Sequence, residues 1–202
     1  MGQTMTRYLY LARHGEATPG GDALTGDGRR QAALLGERLR NVPLSAIHHG
    51  PLPRATQTAH LIGEHLPGVP LLASEAAGDY TPYVPAKDEL PPEFAARFLG
   101  FLEQFPDAQH DLTAEAMRLF TDPVAEGTRH ELVVTHNFLI GWLVRAAMDA
   151  PKWRWLGLNH CNAALTVIRY APDRPSSVLF YNDMGHLPAE LRWTGFPPEL
   201  RE

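Results

Sequence analysis

The chain has 202 residues, 44% of them hydrophobic and 20% charged, which is enough to bury one sizeable core and ordinary for a soluble globular enzyme. Eighteen Lys and Arg against 23 Asp and Glu leave a formal charge of -5, which argues against non-specific binding to nucleic acid or to an anionic membrane, so any affinity for an anion has to be local. The single cysteine, Cys161, cannot form an internal disulfide, no secretory leader or membrane-spanning run is visible, and a cytoplasmic protein with no membrane partner is expected.

In chain order, the apolar run Tyr8 to Ala12 reads as a buried strand that stops at Arg13-His14-Gly15-Glu16. A strand ending there delivers two side chains able to carry positive charge to its carboxyl end, where open α/β sheets place their chemistry. Gly20-Gly21-Asp22 marks a loop, and Thr25 is placed to cap a helix whose apolar positions Ala32, Leu35 and Leu39 recur at helical spacing. Leu44 to His49 reads as a second strand, Pro51 to Leu66 as a helix, and Val69 to Ala73 as a third strand. This alternation predicts a parallel sheet wrapped by helices.

From 78 to 127 the alternation breaks. Prolines 82, 85, 91 and 92 come first, then two helical patterns, one carrying Phe94, Phe98, Phe101 or Leu102, and Phe105, the other Leu112, Ala116, Leu119 and Phe120. We read this segment as a helical insertion above the carboxyl ends of the strands, although an aromatic stripe of this spacing is also what core packing produces. The sheet resumes at Glu131 to Thr135, a helix follows from Phe138 to Ala147, and Ala164 to Tyr170 and Ser177 to Tyr181 read as late strands. The expected architecture is a single α/β domain over 1–202: a three-layer sandwich with a mainly parallel central sheet, helices on both faces and the insertion near the active site.

A neutral imidazole can attack phosphorus through a ring nitrogen, and a neighbouring guanidinium offers planar donors to phosphate oxygens. Arg13-His14 therefore places a nucleophile beside an anion clamp, whereas an isolated histidine would only end the strand and cap a turn. His136 follows the run Leu132 to Thr135 and precedes a helix, repeating the strand-end placement of His14, so that two histidines at one sheet edge can share one phosphate; alone it reads equally as a satisfied buried imidazole. Arg54, at the start of the second helix, can point back towards the strand ends, while a lone arginine there would be solvated.

Four segments match a known pattern in order: Arg13-His14-Gly15-Glu16, Leu24-Thr25-Gly26-Asp27-Gly28-Arg29-Arg30-Gln31-Ala32, Pro51-Leu52-Pro53-Arg54-Ala55-Thr56-Gln57-Thr58-Ala59 and Val133-Val134-Thr135-His136. Together they resemble the histidine phosphatase superfamily, also called phosphoglycerate mutase-like. The departures are Gly50, where the family usually has Ser, and Asn137, where it usually has Gly. The resemblance implies metal-independent hydrolysis of phosphate monoesters through a phosphohistidine on His14, with Arg13, Arg54 and His136 holding phosphoryl oxygens and Glu16 orienting Arg13 or a histidine. It implies no cofactor or metal, and as partner a small-molecule phosphate monoester or a phosphoprotein; oligomeric state is open. The alternatives are a mutase-like phosphotransferase and a non-catalytic phosphate-binding module.

The second alternative arises because the family's acid segment is broken. Many relatives carry Glu-x-x-x-Gly-x-x-Glu-Gly after the third strand, but this chain reads Glu75-Ala76-Ala77-Gly78-Asp79-Tyr80-Thr81-Pro82, with no carboxylate at the second Glu. Asp79 is the nearest substitute for the acid and Glu75 the next, with Asp88 and Glu89 available from the insertion. The His48-His49 pair faces opposite sides of its strand and makes a poor chelate. The tryptophans Trp142, Trp153, Trp155 and Trp193 read as packing residues. Asn159-His160-Cys161-Asn162 either approaches the site or serves as an ordinary turn.

Overall fold

The computed structural model describes residues 5–122, 124 and 126–201. The ends of the expected 1–202 domain and positions 123 and 125 of the insertion lie outside the described residues.

A six-stranded sheet in the order β3-β2-β4-β1-β5-β6 forms the middle layer. β1 (Thr6–Arg13), β2 (Leu44–His49), β3 (Leu71–Ala73) and β4 (Thr128–Thr135) run parallel, while β5 (Leu165–Ala171) is antiparallel to both β1 and β6 (Arg174–Asp183). Strand residues alternate between two cores. Leu9, Leu11, Val133 and Ile168 face one side; Ala12, Leu132, Val134, Leu165 and Val167 face the other. Both faces of the central strands are thus apolar, which is why they read as near-continuous hydrophobic runs.

Helices α1 (Gly26–Leu39) and α2 (Pro53–Gly63) cover one face with Leu35, Leu39, Ala55, Ala59 and Ile62. α3 (Pro92–Leu102), α4 (His110–Thr121) and α5 (Asn137–Ala147) supply the other core, through Leu102, Phe120, Leu139, Ile140 and Leu143 among others. The second helix stops at Gly63, short of the Leu66 expected from periodicity, because the chain turns there through hydrogen bonds from His65 N to Ile62 O and from Leu66 N to Gly63 O. The 78–127 segment divides. Phe105, just after α3, lines a cavity with His14, and α4 starts near the strand ends, where Gln109 N donates to Thr81 O at 2.9 Å and Thr113 Oγ1 to Pro82 O at 3.1 Å. From there α4 runs down the sheet face towards the start of β1, where Arg7 Nη1 donates to Leu119 O at 2.6 Å.

Two of the sequence segments have a packing role that fixes the entry to α1. Thr25 caps the helix, its hydroxyl accepting from Gly28 N at 2.9 Å, a contact typically worth about 1 kcal/mol. Gly15 and Gly28 lie back to back, and a Cβ on Gly28 would collide with the Glu16 carbonyl, so glycine is required by close approach. We expect Gly28→Ala to push the start of α1 away from the end of β1 and to cost about 1–3 kcal/mol. In thermal unfolding this is a fall of roughly 5 °C; an unchanged midpoint would show that the junction has slack.

Candidate active site

The site begins with strand register. β1 and β4 pair in parallel with Arg13 opposite Thr135, and His14 N extends the ladder by donating to Thr135 O at 3.0 Å. The residues that leave the two strands, His14 and His136, therefore emerge side by side, with ring centroids 5.1 Å apart. Hydrogen bonding fixes the His14 tautomer. Its Nδ1–H donates to Gly15 O at 2.7 Å, so Nε2 keeps its lone pair.

Surrounding elements hold this pair in place. Thr58 Oγ1 accepts from Gly15 N at 3.0 Å and donates to Arg54 O at 2.7 Å, tying the first turn of α2 to the residue after His14. Asn162 Nδ2 donates to His14 O at 2.9 Å. The Arg13 guanidinium is anchored through Nη1 to His160 O at 2.7 Å and Gly195 O at 2.6 Å. Arg54 Nη2 donates to Asp79 Oδ2 at 2.7 Å, and the same oxygen lies 3.5 Å from His136 Nδ1, outside hydrogen-bond geometry. Two guanidinium groups, two imidazoles and one carboxyl thus converge. Arg13, His14, Asp79, Thr81 and His136 line a cavity of about 320 Å³, and Arg13, His14, Glu16, Arg54 and Asp79 line the one adjoining it.

Both imidazoles are kept neutral. His14 is 7% exposed and His136 2%, and loss of water is the main reason each is pushed down to about 3 from the ordinary 6.5. The neighbouring imidazole and Arg13 add to the effect at His14, and Arg54 and Arg13 add to it at His136. His136 is also short of partners: both ring nitrogens are buried with no hydrogen bond, as is the hydroxyl of Thr81. Buried polar groups are nearly always satisfied, so unsatisfied ones lining a cavity mark where a ligand with hydrogen-bonding atoms fits. An unprotonated nitrogen facing two cations suits attack on an anion that the cations hold.

The other predicted residues are placed as follows. The carboxylate of Glu16 accepts from Thr25 Oγ1 at 2.7 Å, so it braces the start of α1 rather than orienting Arg13 or a histidine as expected. Glu89 is engaged by Tyr83 Oη at 2.7 Å and Ala86 N at 2.7 Å. Glu75 and Asp88 are exposed, and none of Glu75, Asp88 and Glu89 lines either cavity containing His14. Asp79 alone of the four carboxyl candidates touches the site. Trp193, 38% exposed, packs edge-on against Phe196 with ring centroids 5.3 Å apart.

Sequence reasoning missed Thr81 and the loop around Gly195, whose contributions depend on long-range closure and carry no local pattern. The two departures from the family pattern have local explanations. A Cβ on Gly50 would lie 2.5 Å from Ala77 O, so the turn after β3 leaves no room for Ser. Asn137 Oδ1 accepts from His160 N at 2.8 Å and so secures the segment that anchors Arg13. Among the described residues no group of three or more His, Cys, Asp or Glu side chains is placed to share a metal ion, and no helix is long and apolar enough to cross a membrane.

The chain resembles known proteins in sequence and in fold. A family model described as histidine phosphatase superfamily (branch 1) matches residues 9–183. A Caenorhabditis briggsae protein named serine/threonine-protein phosphatase Pgam5, mitochondrial, is 30% identical over 202 residues, covering 95% of this chain and 68% of that protein. Among solved structures, Bacillus stearothermophilus YhfR superposes with a TM-score of 0.65 at 24% identity, covering 89% of this chain and 98% of that one. Phosphoglycerate mutase from Plasmodium falciparum gives 0.62 at 19% identity, covering 92% and 96%. At those identities the two structures speak for the fold alone.

The neutral imidazoles make stability depend on pH with a definite sign. The unfolded chain takes up protons below about pH 6.5 and the folded chain does not, so the stabilisation is full above that pH and is lost as pH falls towards 3. At pH 5 each such histidine has removed about 2 kcal/mol. Urea unfolding at pH 7 and pH 5 should show wild type losing more stability than His136→Asn by about that amount. Equal losses would mean that His136 is accessible to protons in the fold.

Proposed function

From a chain that belongs to branch 1 of the histidine phosphatase superfamily and is a phosphatase, we infer the specific reaction to be hydrolysis of phosphate monoesters through a phosphohistidine on His14, without a metal ion. The observation that carries this reading is the pairing of a His14 ring nitrogen free to attack with the two unpartnered nitrogens of His136, 5.1 Å away between ring centroids.

The substrate phosphoryl group takes the place beside Arg13, Arg54 and His136, whose donors meet its equatorial oxygens as charge spreads over them. His14 Nε2 attacks phosphorus in line; the N–P bond forms and the bond to the ester oxygen breaks. The departing oxygen takes a proton from the Asp79 carboxyl, which the site places next to His136 and Arg54. A water then attacks the phosphohistidine, giving its proton back to Asp79, and inorganic phosphate leaves with His14 restored. Phosphate and Asp79 compete for the Arg54 guanidinium, so substrate binding frees the carboxyl from its partner. The proton that the carboxyl passes to the departing oxygen is taken up from the substrate phosphate or from water once Arg54 has turned to the phosphate.

A phosphorylated serine or threonine is one substrate compatible with this chemistry, as the name of the Caenorhabditis relative suggests. A second reading, a phosphate-binding module without turnover, is favoured by the tie between Asp79 and Arg54 and by the 41% exposure of the Asp79 side chain. An aryl phosphate separates the two, because its leaving group needs little protonation: phosphate binding without aryl turnover in wild type supports the module.

Two substitutions test the roles, both assayed with a chelator present. His14→Ala should abolish turnover and any acid-labile phosphoryl label on the protein; a label that survives puts the nucleophile elsewhere. Asp79→Asn should slow alkyl phosphates at least tenfold more than aryl phosphates, and equal slowing of both would remove Asp79 as the acid.

A further inference from the structure

Beside the phosphate cavity lies a second one of about 470 Å³, and the two share Asn137, Phe138, Asn159 and Pro197 as common walls. Its far side is aromatic, built from Phe98 and Phe101 of α3 and from Trp153 and Trp155. These rings form a linked set around Phe138, whose centroid lies 4.9 Å from Trp155 and 6.1 Å from Phe101, while Phe98 lies 6.2 Å from Trp153. The set is only partly consumed by packing. Phe101 is 39% exposed and Phe94, at the mouth, 47%, whereas Trp155 behind them is 2% exposed and donates through Nε1 to Tyr83 O at 3.1 Å. The back wall is buried with its indole N–H satisfied, and the front is open.

We propose that this cavity binds the organic part of a small phosphate monoester, and that the part it selects is an aromatic group a few bonds from the phosphorus. The proposal rests on the phosphatase reading above and adds the substrate class. Three observations support it. The cavity adjoins the phosphate cavity and shares four lining residues with it, so the organic part of an ester whose phosphoryl sits at His14 lies next to it. Its volume lies in the range of small-molecule sites, and its lining is dominated by aromatic rings, with Asn137, Asn159 and Glu199 as polar members besides two arginines. Arg97 and Arg154 stand at the rim, Arg154 with its guanidinium 5.2 Å from the Trp153 ring, and such planar cations stack on an aromatic guest. Pro197 and Leu200 close the opposite side. A cavity of about 470 Å³ matches the organic part of a small ester.

The test compares 2-(2-naphthyl)ethyl phosphate with propyl phosphate, both alkyl esters of similar leaving-group reactivity, so a difference reports binding and not chemistry. The expected result is a kcat/KM at least tenfold higher for the naphthyl ester, carried mainly by KM. In Trp153→Ala, and separately in Phe101→Ala on the exposed side, the ratio should fall towards one while circular dichroism shows a native fold. Equal kcat/KM for the two esters in wild type overturns the aromatic subsite and leaves the hydrolase reading standing. Should neither ester be hydrolysed, that reading fails instead, and the subsite is judged by binding of the matching phosphonates: at least tenfold tighter naphthylethyl phosphonate supports it, and equal affinity overturns it. Phosphoserine peptides with Trp or Ala beside the phosphoserine form the last arm. Discrimination between the peptides without discrimination between the small esters would overturn the small-molecule assignment.

Discussion

The parallel pairing of β1 with β4 is the constraint on which everything else in the site depends. With Arg13 opposite Thr135 and the His14 amide bonded to the Thr135 carbonyl, His14 and His136 have to leave the sheet together. Because neighbouring parallel strands lie about 4.8 Å apart, the side chains that follow them are separated by roughly the width of a phosphoryl group. A register shift of one residue would send one imidazole to the opposite face. Burial between two guanidinium groups then does the electrostatic work, keeping both rings uncharged in a place that attracts anions.

The remaining parts of the recognisable motifs are ties that hold this arrangement. Gln31 accepts from Glu16 N at 2.8 Å and donates to Leu191 O at 2.9 Å, joining the strand end, α1 and the C-terminal segment. Gln57 Oε1 accepts from Leu24 N at 3.0 Å, and Thr58 bridges Gly15 to α2. Gln31 and Thr58 are buried and Gln57 half-buried, and their hydrogen-bonding groups are used mainly on backbone atoms, which fixes the loops that carry reacting groups. Arg13 is held in the same manner by two carbonyls, from His160 and Gly195, so the guanidinium enters the site already oriented.

How much of this was legible in the sequence follows from the range of the interactions. β2 was predicted at its observed limits, Leu44 to His49, and Thr25 was recognised as the cap of α1, because both rest on local periodicity and cap chemistry. The strand-end positions of His14 and His136 were equally local. Glu16 was misjudged because its motif position says nothing of the Thr25 hydroxyl nine residues away that takes its carboxylate. α4 meets the strand ends through its first turn and continues down the sheet face, a course no periodicity reveals, since an amphipathic pattern states that a face is buried and not against what. Thr81 and Gly195 reach the site only through tertiary closure. The aromatic residues of α3 were ambiguous for the same reason: spacing cannot separate a core stripe from the wall of a cavity, and the observed exposure of Phe101 and Phe94 does so.

The central claim is that His14 stands neutral, with its proton on Nδ1 and its lone pair on Nε2, in a site that refuses protonation. Nitrogen-15 NMR of the histidine side chains measures both properties at once. The account predicts that the His14 ring shows the Nδ1–H tautomer at pH 7 and remains uncharged when the pH is brought to 5. A ring that titrates near 6.5, or that carries its proton on Nε2, would contradict it.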